Sequence, residues 1–365
     1  MQIQQIETFQ AAIPLNSPFK TALRTVTVAE TVVVKLTCDS GIIGFGEAPP
    51  THVITGDSIA SIDIAVNNVF KPLLLNESIL QYERIFEKID KSIIGNVSAK
   101  AAVDMAVYDC LAQEAQMPLW QFLGGYNDQI ETDYTVSVNS PEEMADDAQQ
   151  YMSDGFSILK VKVGKDAIDD DVKRIQGIRK RVGSRAKIRL DANQAWPAKE
   201  AVRAIRKMED LGLDIELIEQ PVHKTDFEGL KYVAANTETP IMADESVFST
   251  GDARRLLEMR AADLINIKLM KAGGIHQAVK IAKLADIYGV KCMVGSMIET
   301  KIGITAAAHF AASQPNIINY DFDAPLMLAG DLIEGGIAYN GSNISLGTKS
   351  GLGIEKINPE FITES

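Results

Sequence analysis

The sequence predicts an α/β protein: a modified (β/α)8-type, TIM-like barrel with an N-terminal α+β capping domain. Three observations predict it. From Asp133 onward short apolar runs alternate with amphipathic helical patterns, and eight such runs fit within about 190 residues. The first 125 residues have another rhythm, β-rich runs followed by helices. Charged residues that end the apolar runs recur at separations of 31, 28, 25 and 24 (160 to 191, 219, 244 and 268), in phase with a βα repeat. A doubly wound open sheet is the alternative, but the Gly-rich phosphate loop that usually follows its first strand does not appear.

The elements follow in order. Ile3–Ala12 and Thr25–Thr37 read as strands, with Pro14–Arg24 as a loop holding two prolines. Cys38-Asp39-Ser40-Gly41 is a turn signal, Ile42–Glu47 a third strand, and Ala48-Pro49-Pro50 ends the sheet. Ser58–Leu75, Leu80–Ile94 and about Ala99–Met117 have helical periodicity, the last rich in alanine, which suits close packing. Gly124-Gly125 closes this cap, at residues 1–125. The barrel, 126–325, takes strands at Asp133–Val138, Ile158–Val163, Lys187–Asp191, Ile215–Glu219, Pro240–Asp244, Leu264–Lys268, Lys291–Gly295 and Ile317–Asp321. Helical patterns lie between them, such as Glu142–Asp154, Asp169–Val182, Ala198–Leu211, Asp252–Arg260 and Gly274–Tyr288, with the last helix missing or replaced. Residues 326–365 return to β character and are expected to pack back on the cap.

Composition narrows the function. The chain has 365 residues, 46% apolar and 23% charged, as in ordinary globular proteins. The net charge of −13 argues against nucleic acid, and no apolar run is long enough for a membrane span. Cys38, Cys110 and Cys292 are odd in number and far apart, without ligand spacing. Together with an N-terminus lacking a basic region and an apolar leader core, they lead to the expectation of a cytoplasmic protein with reduced thiols.

A barrel of this kind works at the C-terminal ends of its strands. Lys160 and Lys162 alternate with Leu159, Val161 and Val163, so both ammonium groups share one face of the second strand. Alone this would be a solvated edge strand; as the second of eight, its lysine face turns inward. Asp191, Glu219 and Asp244 end the next three strands. Asp191, Asp244 and Ser246 each precede a helix, so any one of these, taken alone, reads as a cap. Three converging anions need a cation, and oxygen-only ligands select a hard dication, Mg²⁺ by default. Lys268 ends the sixth strand, opposite Lys160 and Lys162. A lysine crowded by a second lysine and a dication loses its proton more readily and becomes a base. Two such bases on opposite faces of one carbon can remove a proton from one side and return it on the other.

These pieces, Lys160-Val161-Lys162, Asp191-Ala192-Asn193, Glu219-Gln220-Pro221, Asp244-Glu245-Ser246 and Lys268, resemble the enolase superfamily, muconate-lactonizing subgroup, over essentially the whole chain. With Asp321-Phe322-Asp323 the likeness is greatest to the dipeptide epimerases, in particular those acting on L-Ala-D/L-Glu. The resemblance implies one Mg²⁺ per subunit on Asp191, Glu219 and Asp244. It implies Lys162 and Lys268 as the acid/base pair, serving the R and S centres, and an ene-diolate intermediate with Lys160 near the substrate carboxylate. It implies Asp321 and Asp323 as holders of a dipeptide α-ammonium, and Thr135 as a substrate contact. Arg24, in the first loop of the cap, suits the side-chain carboxylate of Glu; Ile54, Met297 and Ile298 are candidate apolar walls. A small-molecule dipeptide is the expected partner, and a homo-oligomer is expected because the family commonly forms them. Alternatives are a dipeptide epimerase of other specificity or an elimination such as o-succinylbenzoate synthesis. From another class, a non-catalytic metal-stabilised or small-molecule-binding barrel is also open. Glu245 and Asn193 read as supporting residues or caps, Gly273-Gly274 as a tight loop or anion-binding turn, and most of the four scattered histidines as structural.

Overall fold

The computed structural model of the chain describes residues 1–21 and 23–364. Its first layer is an antiparallel sheet of β1 (Ile3–Lys20), β2 (Thr25–Cys38) and β3 (Ile43–Ala48), in that order. The expected loop at Pro14–Arg24 is mostly strand: Pro14 pairs with Val28, Phe19 with Val26 and Lys20 with Thr25. Proline donates no hydrogen bond, and here the strand absorbs it by a register shift between Pro14 and Phe19.

The helix Val97–Glu114 packs on this sheet. Its alanines let β3 approach until a Cβ at Gly46 would stand 2.0 Å from the Ala102 carbonyl oxygen, and one at Gly44 2.2 Å from that of Ala106. Only glycine fits such a contact.

After the short strand β4 (Gln129–Glu131) come eight parallel strands in sequence order. They are β5 (Tyr134–Val136), β6 (Ile158–Lys162), β7 (Lys187–Asp191), β8 (Ile215–Glu219), β9 (Ile241–Ala243), β10 (Leu264–Ile267), β11 (Lys291–Val294) and β12 (Ile317–Tyr320). The ladder runs from β5 to β12. Those two meet through a bond from Asp133 N to the Tyr320 carbonyl and through Phe322 N donating to Thr132 Oγ1. The register places Lys162 beside Asp191, and Asp191 beside Glu219, so the charged ends stand side by side. Helices cross over between the strands, and a 3-10 turn, Ala324–Met327, follows β12 where an eighth helix would stand.

Beyond the barrel, Ile362–Glu364 pairs with β1, and Asn343–Ser345 pairs with β4. Cap and barrel are also joined at the Gly273-Gly274 turn. Asp104, on the helix Val97–Glu114, accepts from Ile275 N at 2.6 Å and His276 N at 3.2 Å, at the start of the helix Ile275–Ile287. The protein's own carboxylate thus fills that turn. Among the described residues, no helix is long and apolar enough to cross a membrane.

Candidate active site

A cavity opens at the C-terminal ends of the barrel strands, against the cap. Lys160 and Lys162 enter it from β6, Thr135 from β5, and Asp244 and Lys268 from just past the ends of β9 and β10. Met297 and Ile298 follow β11, Asp321 and Asp323 follow β12, and the cap supplies Arg24 and Ile54. Asp191 and Glu219 do not line it. They lie beneath the lysines, 0% and 1% exposed. Period-two alternation does turn the lysine face of β6 inward: Lys160 is 2% and Lys162 6% exposed. Asp191 and Asp244 cap no helix; Pro197 and Ser249 hold those positions.

The charges interlock. Lys160 Nζ lies 2.7 Å from Asp321 Oδ2, 2.8 Å from Glu219 Oε2 and 3.3 Å from Asp191 Oδ2. Lys162 donates to Asp191 Oδ2 at 2.6 Å, and Lys268 to Asp244 Oδ2 at 2.8 Å. Burial works against the charged form of Lys160 and Lys268, but the surrounding carboxylates outweigh it and raise both above the ordinary lysine value. With protein groups alone, Lys160 and Lys268 thus favour the ammonium form; the expectation of a lysine that loses its proton readily is for the metal-bound site. That expectation counted a dication, whereas here the ammonium groups themselves neutralise the carboxylates.

The acids divide. Burial, then Asp191 and Asp244, push Glu219 up to about 8. At Asp191 burial is outweighed by Lys162, Lys160 and Lys268, and its carboxyl falls to about 2. Asp321 is lowered despite burial, chiefly by Lys160, whereas burial and Asp321 push Asp323 up to about 7. Asp323 Oδ2 accepts from Thr135 N at 2.6 Å, so the first and last barrel strands are tied at the cavity itself. Arg24 is lowered by burial alone, with no described carboxylate raising it.

The donor set suits a hard dication in chemistry: three buried carboxylates on neighbouring strands, two of them repelling the third. Among the described residues, however, no three metal-type side chains stand in a ligating group, because each carboxylate turns to a lysine.

Sequence reasoning missed several supports. Lys271 is 1% exposed, with Nζ 2.5 Å from Asp244 Oδ1; in the sequence it looks like an ordinary helical lysine. Asn266 donates to Glu219 Oε1 at 2.7 Å. Arg189 bonds Asp133 at 3.0 Å, Glu216 at 2.6 Å and Asn319 at 2.7 Å inside the barrel. Asn266 and Arg189 each sit two residues before a charged strand end, so period-two alternation could have found them. Asn193 Nδ2 reaches Glu245 Oε1 at 3.3 Å on the cavity wall, in keeping with a supporting role.

Comparison with known proteins fits this geometry. Residues 3–124 match the mandelate racemase/muconate lactonizing enzyme N-terminal domain, and residues 143–360 the enolase C-terminal domain-like family. The chain belongs to the enolase superfamily, in its mandelate racemase/muconate lactonizing family. Among family members, the L-Ala-D/L-Glu epimerase of Bacillus subtilis (strain 168) is 64% identical over 97% of this chain and 97% of its own length. The structure of a substrate-liganded complex of the Bacillus subtilis L-Ala-D/L-Glu epimerase superimposes with a TM-score of 0.98 at 63% identity, covering 98% of this chain and all of the other. A dipeptide epimerase from Enterococcus faecalis V583, solved with Mg and the dipeptide L-Leu-L-Tyr, gives a TM-score of 0.95 at 43% identity, over 98% of this chain and all of the other. With relatives this similar named as epimerases, this family member is an isomerase.

Proposed function

We propose that the chain is a Mg²⁺-dependent dipeptide epimerase that inverts the α-carbon of the C-terminal residue, with L-Ala-D/L-Glu as substrate. The observation that carries this reading is the placement of Lys162 and Lys268 on different strands of one cavity, each held by its own carboxylate. Asp191, Glu219 and Asp244 would hold the metal. Bound there, Mg²⁺ supplies the positive charge that frees the lysines from these carboxylates and stabilises a carboxylate of the substrate.

The residues then divide the work. One lysine takes the α-proton and the other, as an ammonium, delivers a proton to the opposite face; nothing else in the substrate changes. Lys160, kept protonated by its acidic neighbours, stabilises the negative charge of the ene-diolate left when the proton goes. On this reading Asp321 and Asp323 receive an α-ammonium, and Arg24 a side-chain carboxylate. All three line the one cavity, which supports a substrate charged at both ends, and the Bacillus subtilis relative supports Glu at the epimerised position.

The test is turnover of L-Ala-L-Glu in D₂O. Deuterium should enter the Glu α-position as the epimer forms, and not the Ala α-position. Metal binding without deuterium entry on any dipeptide would instead make the barrel a binding protein.

A further inference from the structure

We propose that Glu47 and Glu299 form a proton-sharing carboxyl pair that locks the Met297–Ile298 wall of the cavity to the cap, and so positions the substrate. The proposal rests on the reading of the cavity as a dipeptide site.

Glu47 lies on β3 of the cap and is 0% exposed; Glu299 lies in the loop after β11 and is 2% exposed. Glu47 Oε2 accepts from Thr300 Oγ1 at 2.7 Å, and its Oε1 from Gly303 N at 2.7 Å. Glu299 Oε1 accepts from Met297 N at 2.8 Å. Its Oε2 is buried and has no hydrogen-bond partner among the described residues. That orphan and Glu47 Oε1 border the same space: a Cβ placed on Gly303 would lie 2.3 Å from the first and 2.6 Å from the second. The missing side chain at Gly303 is what makes room for the two oxygens.

Two carboxylates in one dry space cannot both ionise cheaply, and a shared proton satisfies the orphan oxygen. Burial pushes Glu47 up to about 7 against the bonds from Thr300 and Gly303. Burial and Glu47 push Glu299 up to about 8, with Asp321 adding to the effect and Lys268 opposing it. The pair titrates as a unit, so a proton is held at neutral pH and lost in mildly alkaline solution.

The consequence lies one bond away. Glu299 fixes the backbone of Met297, and Ile298 packs into the cap cluster with Ile13, Ala29 and Val33. Met297 and Ile298 both line the cavity. Losing the shared proton sets like charges between cap and loop, and the wall moves away from the substrate. Glu47 and Glu299 are therefore positioning residues; neither lines the cavity.

The experiment uses the full, Mg²⁺-loaded chain and the variants Glu299→Gln, Glu47→Gln and Glu299→Ala. In infrared difference spectra, wild type minus Glu299→Gln should show a protonated-carboxyl band that disappears as pH rises from 6 to 9.5. Its absence overturns the pair, and this readout needs no turnover, so it separates failure of the pair from failure of the epimerase reading. In kinetics, a buried bond of this kind corresponds to about tenfold in affinity. The wild-type KM for L-Ala-L-Glu should rise about tenfold between pH 7 and 9.5. In Glu299→Gln, whose amide can donate permanently to Glu47, that rise should vanish, while the pH profile of kcat follows wild type. Glu299→Ala should raise KM about tenfold at pH 7 with kcat within about threefold. A KM rise of the same size in Glu299→Gln and wild type, or an unchanged KM in Glu299→Ala, overturns the proposal.

Discussion

Replacing Arg24 with methionine separates recognition of the side chain from the proton transfer. Arg24 lines the cavity from the cap side, as does Ile54, and its burial is not offset by any described carboxylate. A Glu side chain there would receive two charge-assisted hydrogen bonds from one guanidinium, worth about 1.5–3 kcal/mol each before the cost of removing both ions from water. A net loss of about 3–4 kcal/mol is about 10²–10³-fold in kcat/KM. Methionine keeps much of the apolar stem, so L-Ala-L-Leu, which makes no such bond, should keep its kcat/KM within about threefold. With no ion pair to lose among the described residues, stability should stay within about 0.5 kcal/mol in urea titrations. The assay is epimerisation of both dipeptides, followed by α-deuterium incorporation. Equal losses for the two substrates, or an unchanged value for L-Ala-L-Glu, would refute the assignment of Arg24 to the side-chain carboxylate.

Chelation by EDTA should abolish epimerisation and Mg²⁺ should restore it, while Asp191→Asn should weaken Mg²⁺ binding at least about tenfold by calorimetric titration. Gly46→Ala should destabilise the chain by about 1–3 kcal/mol, because the new Cβ meets backbone and not a side chain that can swing aside. A urea midpoint equal to wild type would contradict this packing. His309 accepts from Trp120 N, and burial pulls it down to about 3, so the fold favours its neutral form. The unfolded chain takes up that proton below about 6.5, so this contribution is complete above pH 6.5 and is lost progressively toward pH 3. Relative to His309→Asn, wild type should therefore lose about 1.4 kcal/mol of stability per pH unit between pH 6 and 4. Parallel stability curves for the two proteins would show that the histidine does not titrate this way.

The barrel was legible because its period is short and repeated. Eight apolar runs, six of them ending at a charge, survive errors of one or two residues at each boundary, and the strands were displaced by no more than that. The charged cluster was legible for the same reason: Lys160, Asp191, Glu219, Asp244 and Lys268 recur with the repeat. The segment 14–20 was misread because two prolines argue locally for a loop, whereas long pairing with β2 lets the strand tolerate them through an irregular register. Lys271, Glu47 and Glu299 carried no periodic signal. Lys271 reaches Asp244 from the helix after Lys268, and Glu47 and Glu299 meet across the interface of cap and barrel, 252 positions apart in the chain. The ionisation of Lys160 and Lys268 was out of reach for another reason. It depends on whether ammonium groups or a dication neutralise the same carboxylates, and that is a balance of distances.

The central claim is that one carbon is served by two lysines from opposite sides. Exchange of the α-proton with D₂O, followed separately for the two epimers in Lys162→Ala and Lys268→Ala, tests it most directly. Each variant should lose epimerisation yet keep exchange at one epimer only: D-Glu when Lys162 remains and L-Glu when Lys268 remains. Full epimerisation in both variants, or exchange of both epimers by either one, would contradict the two-lysine account.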